Sequence, residues 1–135
     1  MAKPPLVASL AWTDALTFTA SSGGQTITLD GRSEAGPSPM QALAFGIAGC
    51  MAMDVVDILR KGRHPLTALD VAFHGERAET PPYRFTSVTL VFTVHGDMPG
   101  DAVRRAIALS HEKYCSVSNS LRGDITFVTE FEVRP

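Results

Sequence analysis

Apolar and polar residues alternate along the first third of the chain, and then the period changes abruptly. The segments LVASLAW, LTFTAS and QTITLD each repeat every second residue, the spacing of strands that turn one face to a core. Ser21-Ser22-Gly23-Gly24 marks a turn between the second and third, so a meander of three strands is predicted. Gly31–Ser38, GRSEAGPS, is a loop by composition. From Ser38 onward the spacing is helical. Ser38 suits an N-cap, Pro39 the first helical position, and Gln41 stands three residues on, as in a capping box. The helix is predicted to reach Lys61, with Gly62 as its stop and Arg60 and Lys61 at the negative end of its dipole. ALDVAFHGERAE and FTSVTLVFTVHG alternate again on either side of Pro81-Pro82 and read as a hairpin. Asp101–Lys113 puts Val103, Ala106, Ile107 and Ser110 on one helical face, and SVSNSL reads as a short helix capped by Ser116. DITFVTEFEV closes the chain as a strand through Ile125, Phe127, Phe131 and Val133. The order βββ-α-ββ-α-β predicts an α+β fold with mostly antiparallel strands, in one domain over residues 1–135.

The central helix has a consequence for assembly. From Met40 to Met53 it is apolar almost all round, which demands cover on more than one side. A chain of 135 residues supplies that cover with difficulty, so a second copy is predicted to complete it in a symmetric homodimer. Gly46 and Gly49, each costly inside a helix, read as places where another backbone comes close. The uncharged run Ala42–Met53 falls short of the roughly 18 residues of a membrane span. MAKPPLVASLAWTD does not build the continuous apolar core of a signal peptide. No membrane partner is predicted, and with two cysteines the expected compartment is the reducing cytoplasm. A net charge of −2 with interspersed signs gives no footing for nucleic acid.

Chemistry is concentrated in Cys50 and Cys115. They are too far apart in the chain for a CxxC motif or a zinc knuckle, so any meeting is made by the fold. Cys50 lies mid-helix, with Gly46 one turn before it opening space and Asp54 one turn after it. A carboxylate there opposes a thiolate, so a reactive Cys50 needs a cation or a hydrogen-bond donor from elsewhere. Cys115 follows a helix end beside Lys113 and His111 and reads as the better placed of the two for reactivity. Either cysteine can equally be an inert core residue, since free Cys is among the most buried residue types. His64, His74 and His95 sit in loops or alternating strands and read as surface residues, and no paired spacing supports a metal site. Asp54, Asp57, Arg60 and Lys61 read as a solvated helix end with an Asp57–Lys61 pair. The serines lack a G-x-S-x-G context, and no glycine-rich phosphate loop or cofactor motif is present.

At these residues the chain resembles the family of osmotically inducible protein C and organic hydroperoxide resistance proteins. SPMQALAFGIAGCMAMDVVDIL is similar to that family's central helix, with S-P at its start and a mid-helix cysteine. EKYCSVSNSL is similar to its second motif, a cysteine followed by a small polar residue and a short helix. The resemblance runs from Trp12 to Val133. It implies an intertwined homodimer with antiparallel sheets wrapped around long central helices and active sites at the subunit interface. It also implies an organic hydroperoxide substrate, Cys50 as the peroxidatic thiolate, Cys115 as the resolving thiol, and a dithiol reductant. The family pattern has an Arg in the N-terminal strands and a Glu just after the helix-opening Pro. Here no Arg precedes Arg32, and Met40 and Gln41 follow Pro39, which places the chain in a divergent branch. Arg32 and Glu34 in the preceding loop are the candidate substitutes, with Gln41 and Asp54 as further supporting residues. The alternative is a non-peroxidase member that binds a small apolar ligand or acts as a redox-responsive dimer.

Overall fold

A computed structural model describes residues 3–135, and the chain divides into two compact units, residues up to Leu43 and Ala44–Pro135. The first unit is built on the predicted meander. Strands β1 (Ser9–Asp14), β2 (Thr17–Ser22) and β3 (Gln25–Asp30) form an antiparallel sheet in that order. Gly23 and Gly24 both take positive φ, +56° and +79°, and close a two-residue hairpin in which Ser22 pairs with Gln25. That turn needs left-handed backbone at both central positions, which glycine adopts without steric cost. The sheet retains much apolar exposure, with Leu10, Trp12 and Ile27 all more than half accessible.

Helix α1 (Pro39–Lys61) continues from the first unit into the second. Its start is the expected capping box: Gln41 N–H donates to Ser38 Oγ at 3.2 Å, and Ser38 N–H donates to Gln41 Oε1 at 2.8 Å. The stop differs in detail. Arg63, not Gly62, carries the left-handed φ of +61°. His64 N–H reaches back to the Leu59 carbonyl at 3.0 Å, the six-to-one bond of a Schellman ending. The Asp57–Lys61 pair forms at 2.9 Å on the surface.

In the second unit, β4 (Ala68–Arg77) and β5 (Phe85–His95) are the predicted antiparallel pair, and β6 (Thr126–Arg134) lies parallel to β5. A parallel neighbour requires a crossover, which α2 (Gly100–Leu109), a π-helical turn (Ser110–Tyr114) and α3 (Ser116–Asn119) supply. β5 is the central strand of the order β4-β5-β6 and buries Phe85, Val88, Leu90, Phe92 and Val94. The core adds Val103, Ala106 and Ile107 from α2, and Ile47, Met51, Val55 and Leu59 at successive turns of α1.

By length and composition α1 meets the requirement for a membrane-spanning helix, because its apolar character outlasts the uncharged run Ala42–Met53. Its stripe of Ile47, Met51, Val55 and Leu59 is nevertheless packed inside protein. The opposite side is bare: Phe45 is 66% and Met53 72% exposed. A Cβ at Gly46 would meet only the Val117 side chain, at an ordinary 3.8 Å, and one at Gly49 would meet nothing within 4 Å. Within the described chain, therefore, no backbone presses on either glycine.

Candidate active site

The fold brings the two cysteines together. Cys50 projects from the middle of α1 and is half-buried, whereas Cys115 is fully buried at the end of the π turn. Cys50 lies close enough to Cys115 to help push that thiol upward. Both thiols are free.

Local structure explains where Cys115 sits. The helix begun at Gly100 widens after Leu109 into one π turn, closed by a 2.8 Å bond from Cys115 N–H to the Ser110 carbonyl. Cys115 then leaves the helical region, with φ −72° and ψ 102°, and serves as the N-cap of α3. Its sulfur accepts the Ser118 N–H at 3.3 Å. The cap expected at Ser116 therefore belongs to the cysteine one position earlier, because the sulfur fills the acceptor role of a capping hydroxyl. The Asn119 side chain reinforces the turn by donating to the carbonyls of His111 at 3.0 Å and Cys115 at 2.8 Å.

Electrostatics at Cys115 is a contest. Burial pushes its thiol above the ordinary value of 9.0, and the Cys50 thiol beside it pushes the same way. The Ser118 backbone N–H, which donates to the sulfur, opposes this by favouring the thiolate, and the buried Ser118 hydroxyl, without a hydrogen-bond partner of its own, acts in the same direction. Burial wins, and the thiol stands raised. The expectation that Cys115 is the better placed of the two for reactivity is thus reversed: it has no exposed surface, while Cys50 is partly open.

Asp54 is not simply solvated. Its Oδ2 accepts the hydroxyl of Ser110 at 2.8 Å, and Ser110 is fully buried. Arg32 and Glu34 lie in the exposed loop of the first unit, 3.9 Å from each other. That loop is organised by buried Asp30, whose carboxylate accepts the N–H groups of Arg32 at 2.9 Å, Glu34 at 3.4 Å and Ala35 at 3.0 Å. These donors, Ala35 first, hold Asp30 below the ordinary carboxylate value. Gln41 is engaged as the cap of α1, and its Oε1 also accepts the Ser33 hydroxyl. Among the described residues, no three His, Cys, Asp or Glu side chains gather as a metal site requires.

Ser110 and Ser118, which lack serine-hydrolase context, serve the site by hydrogen bonding instead. Each had a signal in the sequence. A hydroxyl on the apolar face Val103–Ala106–Ile107 needs a buried partner, and a serine three residues after a helix-capping position supplies the N–H that the cap accepts.

The fold and the thiol pair define a class: small α+β proteins in which a cysteine within a long apolar helix meets a buried cysteine that caps a short one. The chain belongs to the OsmC-like protein family, whose model matches residues 31–130. It is 41% identical to protein YhfA of Escherichia coli strain K12 over 129 residues, covering 93% of this chain and 96% of that protein. A hypothetical protein from Aquifex aeolicus VF5 has the same fold, with a TM-score of 0.90, 26% identity and 98% of both chains covered. An organic hydroperoxide resistance protein OsmC from Legionella pneumophila shares the fold at a TM-score of 0.73 and 19% identity, over 98% of this chain and 100% of that one.

Proposed function

We propose that the protein is a thiol-dependent peroxidase that reduces organic hydroperoxides through Cys50 and Cys115. The observation that carries this reading is the meeting of two free thiols from distant parts of the chain, one partly open and one sealed. Accessibility supports the division of roles. The Cys50 thiolate attacks one oxygen of the hydroperoxide; an S–O bond forms, the O–O bond breaks, and the departing alkoxide takes a proton to leave as the alcohol. Cys50 is then a sulfenic acid. The Cys115 sulfur attacks it, hydroxide leaves and is protonated to water, and a disulfide closes. A dithiol reductant returns two electrons and two protons and restores both thiols.

The coupling between the sulfurs favours this order. While Cys50 is a thiolate, its negative charge helps keep Cys115 protonated. A neutral sulfenic acid no longer repels a second thiolate, so the Ser118 N–H acts on Cys115 with less opposition. The pair works in a homodimer, in which a second copy covers the bare side of α1 that carries Phe45 and Met53.

The test is hydroperoxide consumption with cumene hydroperoxide and a dithiol. Cys50→Ser is expected to lose activity, and Cys115→Ser to accumulate a sulfenic acid that dimedone traps. A Cys50→Ser protein as active as the parent overturns the proposal. A second reading, a redox-responsive dimer without turnover, is favoured by one feature: the Arg32 and Glu34 side chains are exposed and face each other. It prevails if oxidant closes the disulfide once but no reductant sustains peroxide consumption.

A further inference from the structure

We propose that Ser110 and Asp54 are a positioning pair that sets the register of Cys115 against Cys50. The inference rests on the thiol-pair reading and extends it to two residues that touch neither peroxide nor sulfur chemistry directly.

Ser110 makes two connections at once. Its hydroxyl donates to Asp54 Oδ2 at 2.8 Å, and its carbonyl accepts the Cys115 N–H at 2.8 Å. Asp54 lies one turn beyond Cys50 on α1. The chain of contacts therefore runs from the helix bearing one thiol, through a single serine, to the backbone of the other. Ser110 has no exposed surface, so its hydroxyl has no solvent substitute for the bond to half-buried Asp54.

The π turn shows what this connection controls. In a regular α-helix the Ser110 carbonyl would take the N–H of residue 114, and each residue advances the helix by about 100°. Here it takes the N–H of Cys115, so the chain carries one more residue in that turn before it leaves the helix. One residue more or less would rotate Cys115 off the direction of Cys50. Anchoring Ser110 to α1 at the start of the widened turn holds the turn in the state that aims the cysteine. A hydroxyl on an otherwise apolar face, next to Val103, Ala106 and Ile107, is thereby accounted for.

The test measures disulfide closure rather than turnover. Diamide takes two electrons and two protons from the reduced protein, and the rate at which the Cys50–Cys115 disulfide forms is followed by loss of alkylatable thiols. Ser110→Ala and Asp54→Ala are expected to slow closure about tenfold, since misplacing reacting groups by about 1 Å costs up to roughly 100-fold. Asp54→Asn keeps an acceptor oxygen and is expected to close within about twofold of the parent, because a neutral acceptor retains most of the bond. Two substitutions from different elements guard against a folding failure in either. Parental closure rates in both alanine variants overturn the proposal, as does a lowered melting temperature with unchanged closure. So does Asp54→Asn behaving like Asp54→Ala, because charge would then be what matters. A parent that closes its disulfide but consumes no hydroperoxide removes the peroxidase reading and leaves the positioning pair to be judged on the closure rates. A parent that forms no disulfide with diamide overturns both.

Discussion

At Cys115, burial and capping pull a single sulfur in opposite directions, and the balance makes two predictions. The Ser118 N–H donates to the sulfur and favours the thiolate there, and the Ser118 hydroxyl, buried without a hydrogen-bond partner, is available to do the same. In a Cys50→Ser background, where one thiol titrates, adding Ser118→Ala is expected to move the Cys115 titration upward, read from thiolate ultraviolet absorbance. An unchanged titration would sink the role given to that hydroxyl. The second prediction follows from linkage. The folded thiol is raised above its ordinary value of 9.0, so the folded state holds its proton more tightly than the unfolded chain does. The resulting stability is fully present below the ordinary value and is lost as pH rises through the folded one. Urea denaturation should therefore show stability falling on the alkaline side, and Cys115→Ala should flatten that fall. An equally steep fall in the alanine variant would count against it.

At the scale of the element, α1 is held at its start by a reciprocal pair of bonds between Ser38 and Gln41. Capping substitutions of this kind typically cost about 1 kcal/mol, so Ser38→Ala should lower stability by that order in chemical denaturation. A loss well under half of that would mean that Pro39 and the preceding loop secure the helix start without the cap. The same cap explains why Gln41 is engaged locally. The π turn is the other informative element. Its i to i+5 closure delivers Cys115 to the cap position of α3, and α3 returns the Ser118 N–H to the same sulfur. Local geometry and site chemistry are one construction there.

At the scale of the molecule, the apolar surface of a single copy calls for a partner. Phe45 and Met53 lie two turns apart on the bare side of α1, and the first unit exposes Leu10, Trp12 and Ile27. Apolar residues left accessible on a sheet of this size contribute nothing to its stability until they are covered. Burying a large apolar side chain contributes about 1.5–3 kcal/mol, so a few such residues are enough to matter for association. The protein is expected to sediment as a dimer of its 14.5 kDa chain. Phe45→Glu with Met53→Glu should shift it toward monomer and lower its melting temperature. A monomeric parent at micromolar concentration would refute the homodimer.

The periodicities of the chain determined the order of its elements, the meander, the β4–β5 hairpin and the capped central helix, because each depends on residues a few positions apart. The apolar excess of α1 likewise announced a helix that one copy leaves uncovered, as the exposure of Phe45 and Met53 bears out. Other features were beyond local reading. That β6 lies parallel to β5, that Cys115 rather than Ser116 caps α3, and that Cys115 is the sealed thiol all depend on packing between distant segments. So does the bond from Ser110 to Asp54, which joins residues more than fifty positions apart. Spacing along a chain encodes which face a side chain occupies. Which distant face it meets, and how much water remains between them, is decided only when the core closes.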